Sequence, residues 1–183
     1  YPLNEPTTQQ YTILVATHIA TPELSYTLSI GESGEIPVDP ADAAYLMLLT
    51  PGEEHRPGKP PYYGMGSGGG KEGTPNIMTA GADHTVTVLA CDLFWNINGN
   101  HNPKVKVVTS DPYDDDPPSA FLVFPTGKRN FTVKPHRATL QQKQVIPKLE
   151  ISASHDADPQ LYAPQTVTNI DVRPTVYPPA PRR

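Results

Sequence analysis

Proline decides most of what this chain can fold into. It occurs 23 times in 183 residues, against a usual share of about 5%, and it is spread so that few windows of helical length escape it. Each proline removes a backbone N–H and pushes the preceding residue toward extended conformation. The apolar runs between prolines have the length of strands. "YTILVAT" (11–17), "LSYTLSI" (24–30), "HTVTVLA" (84–90) and "KVKVV" (104–108) are β-branched or alternate with period two. "AYLMLLT" (44–50) is continuously apolar and reads as a buried central strand. "AFLVF" (120–124) reads as a buried strand, joined by "TGKR" to "NFTVK" (130–134) in a hairpin. "QVIPKLEIS" (144–152) carries Pro147 and reads as an edge or bulged strand, and "TVTNIDV" (166–172) is the last. The one helical candidate is short, "DPADAAYL", where Asp39 would cap and Pro40 would begin the first turn.

The pattern predicts an all-β chain of about ten strands, folded as a β-sandwich of Greek-key or immunoglobulin-like type with long loops. A single domain is expected over residues 11–172. It would lie between an extended N-terminal arm, 1–10, and a polyproline-like tail, 173–183.

Charge excludes some functions. Charged residues make up 18% of the chain and the net charge is -5, so nothing attracts a polyanion globally and no nucleic-acid partner is expected. No apolar run approaches the roughly 20 residues of a membrane helix, and no signal peptide precedes the first strand. The reading is a soluble chain without membrane insertion, its compartment unknown. Cys91 is the only cysteine, so no intrachain disulfide can form. Its apolar neighbours suit a small buried hydrophobe better than a nucleophile.

"YYGMGSGGGKEG" (62–73) invites comparison with a phosphate-binding loop. That loop needs G-x-x-x-x-G-K-[ST] between a strand and a helix. Here Met65 stands where the first glycine belongs, Glu72 replaces the Mg²⁺-binding hydroxyl, and "GTPN" cannot open a helix. The glycines are expected instead to serve backbone conformations at positive φ. They belong to a connection, 51–76, far longer than the usual ~4–6 residues. Tyr62 and Tyr63 beside them, and Tyr113 further on, are candidates for ligand contact.

"SDPYDDDPP" concentrates Asp111, Asp114, Asp115 and Asp116. Crowded carboxylates suit Ca²⁺, although the EF-hand spacing, glycine and closing glutamate are missing and a solvated acidic loop is the plainer reading. No other cofactor is expected. The six histidines show no compact metal-ligand spacing, and neither G-x-S-x-G nor H-E-x-x-H occurs. Trp95 is expected to anchor two sheets together. Asn130-Phe131-Thr132 fits the N-glycosylation pattern, and "PPAPRR" has the form that polyproline-reading domains accept.

The stretch from "YTILVAT" through "AYLMLLTP", continuing in "GMGSGGGKEGTPNIMTAGADHTVTVLACDLFW", resembles the bacterial inclusion-body protein family of the PixA/AidA type. Gly73-Thr74, Gly81-Ala82-Asp83 and Trp95 stand where that family has its G-T link, its G-D strand entry and its tryptophan. The likeness covers roughly the first half. The family's aromatic-Trp-Asp-Pro ending is missing, and the Pro-rich tail has no counterpart there. The resemblance implies a non-enzymatic β-sandwich that accumulates or assembles in cells, and it carries over no catalytic residue.

Extended termini and low charge density point the same way on physical grounds, since a free segment can add to a neighbour's sheet edge. The expected function is a self-assembling structural subunit, a homo-oligomer held partly by its termini and not an enzyme. The alternative is a carbohydrate-binding module, Ca²⁺-dependent through the acidic loop. An enzyme with a site built from scattered His and Asp residues is the third reading.

Overall fold

A computed structural model of the chain describes residues 11–12, 15–16, 31–34, 36–62, 68–140, 146–159 and 161–175. The arm 1–10, the expected strand 24–30, Tyr63 and residues 176–183 of the tail lie outside these. Every regular element among the described residues is a strand. The helix expected in "DPADAAYL" is not formed: residues 38–44 are irregular and the strand begins at Tyr45. No helix among the described residues is long and apolar enough to cross a membrane.

The chain divides into two compact units, Tyr1–Pro40 and Ala41–Arg183. The division falls inside the stretch 11–172 that the sequence reads as one domain. In the first unit, β1 (Tyr11–Thr12), β2 (Val15–Ala16), β3 (Gly31–Glu32) and β4 (Ile36–Pro37) form two short antiparallel pairs, β1 with β4 and β2 with β3.

The second unit holds β5 (Tyr45–Leu49), β6 (Glu53–His55), β7 (Lys71–Gly73), β8 (Met78–Thr79), β9 (His84–Cys91) and β10 (Lys104–Thr109). It continues with β11 (Ala120–Phe121), β12 (Lys128–Val133), β13 (Leu149–His155), β14 (Gln165–Ile170) and β15 (Val172–Arg173). One antiparallel sheet has the order β12-β9-β5 and another β11-β10-β13-β14. β6 pairs antiparallel with β7, and β8 runs parallel to β15. Arg173, the first residue of the expected tail, is therefore part of a strand.

Alternation along the strands builds the core. Leu46 and Leu48 of β5, Val86 and Val88 of β9, and Phe131 and Val133 of β12 share one cluster with Val105 and Val107 of β10 and Ile151 and Ala153 of β13. Each such fully buried aliphatic side chain contributes about 2 kcal/mol through loss of apolar surface to water. β13 begins just after Pro147, lies inside its sheet instead of at an edge, and shifts register between Leu149 and Ile151. Starting the strand past Pro147 keeps its missing N–H out of the ladder.

β5 corrects a second expectation. It ends its sheet and is not central, yet Leu46, Met47 and Leu48 are all fully buried. Two contacts account for the continuous apolar run. Met47 faces a second cluster with Leu89, Cys91 and Trp95, on the side of the sheet away from the main core. The outer edge of β5 meets Ala163 and β14: Leu46 N–H donates to the Ala163 carbonyl (3.3 Å), and Leu48 N–H donates to Gln165 Oε1 (2.6 Å).

Candidate functional site

Of the described residues of the glycine stretch, Gly69 and Gly70 pack against Trp95, while Gly68, Lys71, Glu72 and Gly73 border an open pocket of about 310 Å³ with Lys59 and Thr166. Asp92, itself buried, starts the local structure. Its Oδ1 accepts the N–H groups of Phe94 (2.8 Å) and Asn96 (2.9 Å), and its Oδ2 accepts from Asn96 Nδ2 (3.0 Å) and the Ala41 N–H (3.1 Å). That tight turn places Trp95 in the left-handed region, φ 69°, a conformation a bulky residue holds only when its surroundings over-determine it.

The Trp95 indole lies 5.1 Å from the Tyr45 ring and donates Nε1–H to the Pro61 carbonyl (2.7 Å). Gly69 and Gly70 cover it. A Cβ on Gly70 would collide with Trp95 Cγ and Met47 Cε, and one on Gly69 with the Pro61 carbonyl. Gly70 also needs its φ of +70°. Trp95 thus belongs to this outer cluster and does not anchor one sheet to the other, because the turn at Asp92 sends its ring to the far face.

The charges of the stretch are answered internally. Lys71 Nζ lies 2.7 Å from Glu53 Oε1, with the two side chains only 13% and 4% exposed. Glu53 Oε2 accepts from Thr50 N–H (2.9 Å) and Thr50 Oγ1 (2.7 Å). Glu72, in the position of the Mg²⁺-binding hydroxyl, pairs with Arg56 Nε at 2.8 Å, which holds its carboxyl below the usual range. His55 Nε2 lies 2.6 Å from the Trp95 carbonyl, an acceptor, so this nitrogen carries the proton. Burial lowers the His55 pKa, with the bond to Trp95 opposing. Tyr62 is half-buried, donates to the Gly58 carbonyl (2.7 Å) and meets Phe94 edge-on at 5.4 Å. Of the two tyrosines expected to contact ligand here, Tyr62 is occupied by these contacts.

The four aspartates have four different situations. Asp111 is 5% exposed. Its Oδ2 accepts the N–H groups of His136 and Arg137, each at 2.7 Å, and its Oδ1 that of Tyr113 (3.0 Å). Burial alone would raise its pKa, but these three bonds and the nearby Arg137 charge bring it below the ordinary value. Asp111 therefore ties the loop to the end of β12. Burial pushes the Asp114 carboxyl up, opposed by Thr109 Oγ1 (3.1 Å) and the Lys134 N–H, with the charges of Asp111 and Asp116 adding to the rise. Asp116 Oδ1 accepts the Thr109 N–H (3.0 Å), and Asp115 is exposed. Among the described residues, no group of three or more His, Cys, Asp or Glu side chains is disposed to hold a metal ion.

Tyr113 is 70% exposed and lines a solvent-open cavity of about 500 Å³ together with Ala80, Gly81, His136, Arg137 and Ala138. His136 Nδ1 lies 2.6 Å from the Tyr113 carbonyl. Arg137 is half-buried, its Nη2 reaches the Ser110 carbonyl at 3.4 Å, and its Nε has no hydrogen-bond partner among the described residues. Sequence reasoning found Tyr113 but missed His136 and Arg137. They lie more than twenty residues beyond Tyr113 in the chain, just after β12, and no local pattern marks them.

The region that sequence reasoning misread most is 120–128. Only Leu122 of "AFLVF" is buried; Phe121, Val123 and Phe124 are 58%, 46% and 63% exposed. β11 is two residues long and pairs with β10, while β12 pairs with β9 in the other sheet, so the expected strand hairpin is reduced to a tight turn bridged by Val123 N–H donating to the Lys128 carbonyl (3.0 Å). A signal was present: from Pro117 to Lys134 there is no Asp or Glu, while Lys128, Arg129 and Lys134 are cationic. Cys91 is fully buried and its thiol pKa is raised by burial. Asn130 is exposed, and its Oδ1 accepts from Thr87 Oγ1 (2.8 Å). No family model matches the chain, and no curated protein matches its sequence.

Proposed function

We propose that this chain is a non-enzymatic structural subunit that associates with further copies of itself. The second unit is read as a sandwich of its two larger sheets. The observation that carries the proposal is the hairpin turn at 121–124, which holds two phenylalanines and a valine in water. Three large apolar side chains exposed within four residues, on a chain with a well-filled core, support an interaction surface there. The resemblance to the inclusion-body family supports the same reading, as does the internal pairing of the groups that first suggested chemistry. Residues 1–10 and 176–183 are a second proposed source of contacts.

Particle mass by light scattering, with negative-stain imaging, tests this. The expected result is a mass well above the 19.9 kDa of one chain, reduced when 1–10 and 176–183 are removed while the β signal in circular dichroism persists. A 19.9 kDa particle at every concentration refutes the proposal. The carbohydrate reading draws on Tyr113 beside the cavity, and glycan-array binding lost in Tyr113→Ala would favour it instead.

A further inference from the structure

The hairpin turn and the cavity lie at opposite ends of the same strands. Gly127 beside the turn bonds the Ala90 N–H, near the end of β9, and Phe121 pairs with Lys104, the start of β10. The cavity lies past the other end. Val133, the last residue of β12, pairs with His84, the first of β9, and the lining residues His136, Arg137, Ala80 and Gly81 follow and precede them. At about 3.3 Å per residue, the six residues of β12 separate the two by roughly 17 Å. A copy cannot fill its own cavity with its own hairpin.

Their chemistry is complementary. The hairpin offers the exposed Phe124 with Lys128 and Arg129 beside it, and neither cation forms an ion pair among the described residues. Lys106 is exposed one strand away, and Asp156 answers Lys104 at 2.8 Å. The cavity has an aromatic wall in Tyr113, small apolar walls in Ala80 and Ala138, and the guanidinium of Arg137, which also forms no ion pair among the described residues. Asp115 and Asp116, both exposed, follow the lining residue Tyr113 by two and three positions. A phenyl ring fits such a space, stacking edge-on against tyrosine and beneath an arginine cation. Lysine and arginine around the ring would be drawn to the aspartates that follow Tyr113.

We infer that copies of this chain join head to tail, the Phe124 hairpin of one entering the cavity beside Tyr113 and Arg137 of the next. This rests on the self-association proposed above and specifies its contact. Because the two surfaces differ, the contact is heterologous and must propagate into a filament or close into a ring.

The test mixes two variants with opposite defects, Phe124→Ser/Lys128→Glu and Tyr113→Ala/Asp115→Lys. All four side chains are outside the core, and thermal melts are expected to match the parent chain. Each variant alone is expected to be a monomer by light scattering. Mixed in equal amounts they retain one good contact per pair and give a dimer of roughly 40 kDa, twice the chain mass, that does not grow further and dissociates at least tenfold more readily in 0.5 M salt. As a second readout, Phe124→Cys on one copy and Tyr113→Cys on another are expected to cross-link with a short bismaleimide, Cys91 being buried. Assembly of the first variant like the parent, or a mixture that stays monomeric, overturns this contact. A parent chain that is itself monomeric overturns the self-association reading beneath it. A monomeric parent whose hairpin binds phosphatidylserine vesicles would assign the patch to membranes instead.

Discussion

The glycine stretch 62–73 and the hairpin 120–128 exchange the roles their letters suggest. The first looks like a ligand loop. Its Gly69 and Gly70 are packed against a tryptophan, with the lysine buried against Glu53 and the glutamate held by Arg56. The second reads as core, yet three of its five apolar residues stand in water. A motif shows which groups a segment owns; whether those groups are free depends on what the rest of the fold sets against them. In one case β6, Arg56 and Trp95 engage Lys71, Glu72, Gly69 and Gly70. In the other, the sheets fill their core from β9, β10, β12 and β13 and leave the hairpin turn beyond its edge.

The largest effect that would break this contrast is at Lys71. Lys71→Met strands Glu53 in a buried, uncompensated state and is expected to cost about 3–5 kcal/mol in chemical denaturation. The double variant Glu53→Gln/Lys71→Met should recover most of that. A single variant as stable as the parent would mean that the lysine is free for ligands after all.

Gly70→Ala comes next. Overpacking against Trp95 costs about 1–3 kcal/mol, and the positive φ adds roughly 1 kcal/mol more. The matching change in the hairpin, Phe124→Ser, is expected to stay within about 0.5 kcal/mol. Similar losses at both positions would erase the distinction between the two regions.

The smallest effect is a pH dependence confined to the packed region. His55 has a lowered pKa in the folded chain because it is buried. For a base so shifted, the neutral form favours folding. Its contribution is complete above the ordinary value of about 6.5 and is lost as pH falls below that toward the folded pKa. Stability should therefore decline from pH 7.5 to pH 5.5, and His55→Gln should flatten the slope. An unchanged slope would remove His55 from the packing around Trp95.

Much of the fold was legible because a half-buried strand writes its two faces into alternate residues. "HTVTVLA", "KVKVV", "NFTVK" and "TVTNIDV" all became strands close to their expected bounds. β5 was found but misplaced, since burial on both faces by Trp95 and the main core produces the same continuous run as a central strand. "AFLVF" failed for a related reason: a short apolar run does not say whether anything covers it. The acidic loop was correctly seen as a cluster. The division of labour within it depends on N–H groups at His136 and Arg137, twenty-five and twenty-six residues beyond Asp111, and that is a property of topology.

Hydrogen exchange read by mass spectrometry at low and high protein concentration tests the central claim most directly. The account predicts that amides of residues 121–127 gain protection as concentration rises, together with those around Tyr113, while Gly69–Gly73 are protected equally throughout. Concentration-dependent protection at Gly69–Gly73, with none at 121–127, would contradict it.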